Sequence, residues 1–273
     1  MRNNEDRFNP VSAPQQAPAT GLQYVVPTEV VELPSKGLFY PEGHPLHEKG
    51  FIEIKHMTTK EEDILTSTSL IEKGIVLDYL LKSIIIDKEI DPKSLLPGDQ
   101  NAIYLSARLN AYGSDYSFNF TCDACGKLNK VDYNLENVEN KKLPEDSLIQ
   151  NGLISLILEK SNFTVKLKQL SAKDAELMEK QNKKNKSMGV ARGTTTSLLL
   201  SIIYSINDEI NDGSLKFINV IESLPSKDVR QIKKTYLDTK PDVDFAVELK
   251  CSSCGNSKEG NVPITARFFW PDT

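Results

Sequence analysis

Cys122-Asp123-Ala124-Cys125-Gly126 and Cys251-Ser252-Ser253-Cys254-Gly255 contain all four cysteines of the 273-residue chain. The two stretches repeat one spacing, C-x-x-C-G, 129 positions apart. Such a spacing makes a tight turn that aims two thiolates at one point, with the glycine taking a backbone conformation that other residues resist. Two turns of this kind supply four soft ligands. Cys122, Cys125, Cys251 and Cys254 are therefore the expected ligands of one structural zinc per chain. Two disulfides or four free thiols are the alternatives. A catalytic zinc is disfavoured, because four protein ligands leave no position open for water or substrate.

The flanks say what carries the turns. Tyr116-Ser117-Phe118-Asn119-Phe120 and Phe245-Ala246-Val247-Glu248-Leu249 alternate apolar and polar residues just before each first cysteine, the pattern of a half-buried strand. Val131-Asp132-Tyr133-Asn134-Leu135 and Val262-Pro263-Ile264-Thr265-Ala266 offer the return strands. Each turn then reads as a zinc knuckle at the tip of a hairpin, and the pair as a zinc ribbon.

The chain before each knuckle repeats as well. Val165-Lys166-Leu167-Lys168-Gln169-Leu170-Ser171-Ala172-Lys173-Asp174 matches Ile52-Glu53-Ile54-Lys55-His56-Met57-Thr58-Thr59-Lys60-Glu61 at a constant offset of 113. Leu198 to Ile203 echoes Leu80 to Ile85 at 118, and Leu224-Pro225 echoes Leu96-Pro97 at 128. Small loop insertions explain the drift. Thr58 with Glu61, or Thr59 with Glu62, is spaced as a capping box, so Glu61-Glu62-Asp63 reads as a helix start rather than a catalytic carboxylate pair. Ile75 to Ile86 predicts a buried helix, Asp99 to Tyr112 another, and Leu224 to Leu237 their late counterpart.

The expected fold class is α+β: two similar helical units from an internal duplication, each ending in a β-hairpin zinc knuckle, joined in one shared zinc ribbon. The expected divisions are a flexible, Pro-rich arm over 1–28, a first unit over 29–135 and a second over 136–273, the two units forming one body. Neither unit completes the metal site alone. A structural zinc contributes about 10–16 kcal/mol of binding free energy in small domains, and here that energy would count toward the fold of both.

Composition narrows the function. A net charge of −5 gives no general attraction to nucleic acid or anionic membranes, and no apolar run is long enough to span a bilayer. The polar start lacks the apolar core of a secretory signal, and cysteines in metal-type pairs suit a reducing cytoplasm. His44, His47 and His56 lack acidic or cysteine partners nearby and read as turn or surface residues. No phosphate-binding loop, dinucleotide fingerprint, H-E-x-x-H or G-x-S-x-G is present. The Lys183-Lys184-Asn185-Lys186 run, followed by Gly189, reads as a solvated loop. Phe268-Phe269-Trp270 cannot all face one core from a strand, so one side packs on the ribbon or part of the cluster meets a partner.

Leu33-Pro34-Ser35-Lys36-Gly37-Leu38-Phe39-Tyr40, Met57-Thr58-x-x-Glu61-Glu62-x-Ile64-Leu65 and Pro97-Gly98-Asp99 form an ordered set. With Arg108-x-x-x-Tyr112-Gly113-x-x-Tyr116, both C-x-x-C turns and Phe268-Phe269-x-Pro271, the set resembles the T-even-type bacteriophage baseplate hub assembly proteins. The resemblance covers most of the chain after the arm. It implies a non-enzymatic hub subunit, or an assembly factor or chaperone, that works in the host cytoplasm during virion tail assembly or within the tail baseplate. The implied partners are other phage tail and hub proteins, the tape-measure protein among them. A zinc-ribbon protein of nucleic-acid or transcription-associated type is the alternative, but the knuckles lack basic flanks: only Lys127 and Lys130 follow the first, and at the second Lys250 and Lys258 sit beside Asp244, Glu248 and Glu259.

Overall fold

The computed structural model describes residues 25–144, 149–187 and 193–269. Most of the expected arm lies outside the described residues, as do Gly189, Trp270 and Pro271.

β1 (Thr28–Glu32) pairs antiparallel with β2 (Phe51–Lys55), and Ile54 of β2 bridges Ile85. Val31, Ile52 and Ile54 are buried while Val30 and Phe51 face outward, the period of two expected of a half-buried ribbon. α1 (Thr59–Thr66) starts on the expected capping box, with the Glu61 carboxylate accepting the Thr58 N–H at 2.9 Å. α2 (Thr68–Glu72) and α3 (Val76–Ile84) follow, and α3 buries Val76, Leu80, Leu81 and Ile84 along one stripe. α4 (Pro97–Tyr112) has Pro in its first turn, where a missing N–H costs nothing. A Cβ at Gly98 would stand 2.0 Å from the Pro241 carbonyl oxygen, so only glycine lets this helix end meet the distant strand connection. β3 (Asp115–Thr121) and β4 (Leu128–Asn134) form the first knuckle hairpin.

The second half opens with β5 (Ile149–Gln150), β6 (Leu153–Ile157) and β7 (Thr164–Lys168). α5 (Ala172–Ser187), α6 (Thr194–Ile202), β8 (Ile203–Ile206) and β9 (Glu209–Ile210) come next. The five strands make one antiparallel sheet in the order β5-β6-β7-β8-β9. α7 (Leu215–Glu222) and α8 (Ser226–Asp238) lead to the second hairpin, β10 (Ala246–Lys250) and β11 (Ser257–Asn261).

Two expectations are corrected. The second return strand is Ser257–Asn261 rather than 262–266, because the Cys251–Asn256 turn sets the pairing while β11 has no buried residue to announce it. The lysine run at 183–186 belongs to α5, whose Glu176–Lys180 and Glu179–Lys183 pairs are spaced one turn apart. Of the closing aromatics, Phe268 and Phe269 lie in a 3-10 turn (Ala266–Phe269), which swings successive side chains far enough for both to be fully buried, and Trp270 lies outside the described residues.

After each hairpin the chain crosses to the opposite half. Asp244 N–H donates to the Glu139 carbonyl (2.7 Å) and Lys141 N–H to the Asp242 carbonyl (2.9 Å). In return, Arg108 Nε donates to the Phe268 carbonyl (2.9 Å) and Tyr116 Oη to the Pro263 carbonyl (3.2 Å). Arg108, 1% exposed, spends its other nitrogens on the Gly113 and Asp115 carbonyls. One hydrophobic cluster runs from Val31 to Phe269 and takes in residues of both halves.

Candidate metal centre

Each knuckle is built by the same two backbone bonds. Cys122 N–H donates to the Lys127 carbonyl (2.9 Å) and Gly126 N–H to the Cys122 carbonyl (2.8 Å). The second turn repeats them: Cys251 N–H to Asn256 (2.8 Å) and Gly255 N–H to Cys251 (3.0 Å). Gly126 and Gly255 both have φ of 72°, the left-handed conformation that the turn requires and glycine takes at no steric cost.

The two turns face each other and bring all four expected cysteines together. Cys122 Sγ lies 3.7 Å from Cys254 Sγ, Cys125 Sγ lies 3.6 Å from Cys251 Sγ, and all four sulfurs fall within 4.8 Å of one another. Zn–S bonds of about 2.3 Å set tetrahedral edges of about 3.8 Å. A disulfide needs about 2.0 Å. The sulfur separations fit four ligands around one ion. In both turns the first cysteine is buried and the second exposed, so one side of the cluster is sheltered by the hairpins.

The turns also prepare the sulfurs. N–H groups of Cys254 and Ser253 pull the Cys251 thiol down to about 6, and those of Cys125 and Ala124 lower Cys122. The Lys127 N–H pulls Cys125 the same way, but the sulfurs of Cys254 and Cys251 outweigh it and push Cys125 up to about 12. Crowded thiols resist losing every proton unless a cation shares the charge. Four sulfurs also fill a tetrahedral sphere, so the arrangement suits holding an ion rather than activating water.

Sequence reading missed one residue of the centre. Asn129, 6% exposed, reaches from β4 to the opposite knuckle, where its Oδ1 accepts Ser252 N–H (2.9 Å) and Ser252 Oγ (3.0 Å). Its Nδ2 donates to the Lys127 carbonyl (2.9 Å) and lies 3.6 Å from Cys251 Sγ. The available signal was an amide on the inward face of β4, in step with Val131 and Tyr133. The histidines stand elsewhere: His44 Nε2 meets Ser94 Oγ at 2.9 Å and His47 Nδ1 meets the Tyr40 carbonyl at 2.7 Å, both pinning the turn after β1. Among the described residues, no other group of three or more His, Cys, Asp or Glu side chains has metal-binding spacing, and no helix is long and apolar enough to cross a membrane.

Compared with the curated proteins and with the solved structures, the chain gives no match. The family model of the T4 bacteriophage base plate protein does match, over residues 28–270, a span that begins with β1 and includes both knuckles and the closing 3-10 turn. The chain therefore belongs to the T4 bacteriophage base plate protein family.

Proposed function

We propose that this protein is a non-enzymatic component of baseplate hub assembly, a scaffold or minor hub subunit whose two units are clamped by one structural zinc. Cys122, Cys125, Cys251 and Cys254 are the ligands. The observation that carries the reading is the four-sulfur cluster shared by two distant turns, in a chain of the baseplate family. A closed site of this kind gives rigidity, and a rigid body serves protein contact.

The two units are read as an internal duplication, over 29–135 and 136–273. Pairings recur at the offsets of the sequence repeat. Ile54 bridges Ile85, and Leu167 pairs with Ile203, each partner displaced as its own segment is. Lys55 meets Glu61 at 2.6 Å, and their counterparts Lys168 and Asp174 meet at 3.9 Å. Asp99 and Asp228 are each the third residue of a helix, and each accepts backbone N–H groups from the turn after the corresponding strand, at Ser35 and at Lys160 and Ser161. The return of the chain after the second knuckle onto Arg108 and Tyr116 of the first unit supports treating the units as one body.

Partners are other baseplate and hub proteins, met in the host cytoplasm while the tail is built. Removing the gene from the phage and imaging infected cells tests this. Accumulated heads without completed baseplates, restored by the wild-type chain but not by Cys251→Ser, is the expected result. Completed baseplates without the protein, or a salt-dependent affinity for DNA in its place, would overturn it.

A further inference from the structure

Asn129 and Lys258 hold matching places, each seven residues after the first cysteine of its own knuckle, on β4 and β11. Both side chains cross to the other knuckle and bind the residue that follows its first cysteine. Asn129 binds Ser252, and Lys258 Nζ meets Asp123 Oδ2 at 2.5 Å. The two braces differ in their surroundings. Asp123 is 74% exposed and Lys258 37%, so that ion pair stands in water, while Asn129 is buried and fully bonded.

We infer that Asn129 is a positioning residue of the metal centre, one that fixes the second knuckle against the first and donates a hydrogen bond to the Cys251 thiolate. This rests on the zinc reading above. Four thiolates around a divalent ion leave the cluster with excess negative charge, and N–H donors aimed at sulfur relieve it. Backbone N–H groups do this within each knuckle. Asn129 does it from the opposite hairpin, so its Nδ2 links metal retention to the docking of the two units. Its other N–H is tied to the Lys127 carbonyl and its oxygen to Ser252, which leaves the amide one orientation. A water-exposed ion pair has no such grip, and Lys258 is the internal control.

The test uses the full chain loaded with Co²⁺ and then Zn²⁺, with affinity read by competition against a chromophoric chelator. Asn129→Ala is expected to weaken zinc about 10–100-fold, the range for outer hydrogen-bond partners of metal ligands, and Lys258→Ala less than about threefold. Asn129→Asp keeps the acceptor for Ser252 but removes both N–H donors, which covers the case in which the alanine variant does not fold. In that variant the sulfur-to-cobalt charge-transfer band should move, and alkylation should speed up at Cys251 more than at Cys122, mapped by mass spectrometry. An unmoved band with equal alkylation rates would overturn the positioning role, as would equal affinity losses in Asn129→Ala and Lys258→Ala. A wild-type chain that binds neither ion sinks the zinc reading instead, and the two failures are thereby told apart.

Discussion

Asp99 and Asp228 occupy the same position in α4 and α8, both are fully buried, and both hold a turn through backbone N–H groups. Their acidities diverge. Burial raises Asp99, and the hydroxyls of Ser35 and Tyr40 together with the Ser35 N–H do not offset it, while Asp242 adds repulsion. At Asp228 burial acts in the same sense but is outweighed by N–H groups of Lys160 and Ser161, so the carboxyl falls below its ordinary value. The capping pair differs in exposure instead. Glu61 is sealed against Lys55, Ser83 and Thr58, whereas Asp174 is 38% exposed and stands 3.9 Å from Lys168. The aspartates are equally buried and differ in what donates to them, two hydroxyls and one N–H at Asp99 against the N–H groups of Lys160 and Ser161 at Asp228, while the caps keep their spacing and differ in exposure. What a position contributes depends on its partners where burial is equal, and on its burial where only the spacing is repeated.

That difference between units can be broken or sharpened experimentally. The largest effect belongs to the feature they share. Cys122→Ser or Cys251→Ser removes one ligand from the same centre, so either should abolish tight zinc binding and unfold both units in one transition. Hydrogen exchange would register that as simultaneous loss of protection at α1 and α5. Loss confined to the mutated unit would break the clamp.

Gly98→Ala comes next. A Cβ there meets backbone at 2.0 Å, so a destabilisation of about 3 kcal/mol is expected in urea unfolding. Lys227, second in α8 as Gly98 is in α4, pairs with Glu159 at the surface, and Lys227→Ala should cost less than about 1 kcal/mol. Equal costs would mean that α4 does not press on the second unit as described.

Glu61→Ala should cost about 2 kcal/mol, because it leaves Lys55 and the Thr58 N–H without their partner, against about 0.5 kcal/mol for Asp174→Ala. Hydrogen bonds from Lys55, Ser83 and Thr58 overcome the effect of burial and hold Glu61 at about 2. A carboxyl lowered by folding stabilises fully above its ordinary value of 4.5, and that contribution is lost as pH falls toward 2. The acid limb of the stability curve should flatten in Glu61→Gln. The smallest effect is the contrast between the two aspartates. Carboxyl carbon NMR should find Asp99 titrating above its ordinary 3.8 and Asp228 below it. For Asp99 the sign is reversed, its contribution being greatest at low pH and declining as pH rises through the elevated value.

Much of this body was legible wherever apolar period or turn chemistry marks the chain. The strands into each cysteine, the Thr58 cap, α4 and the gathering of the four cysteines all follow from residues whose spacing has one physical meaning. β11 was not legible, because Ser257-Lys258-Glu259-Gly260-Asn261 buries nothing and takes its register from the knuckle turn. The short sheet strands β5, β8 and β9 were missed for want of length, and β8 follows α6 without a break in apolar character. Asn129 was invisible because its role lies across the interface between hairpins, a relation that no local pattern in β4 encodes.

Native mass spectrometry of the full chain, purified without chelators, reads the clamp most directly. One zinc per chain, whose removal broadens the charge-state distribution of the whole molecule at once, is the expected result. A metal-free chain lighter by the hydrogens lost to two disulfides, with its compact charge states intact, would contradict it.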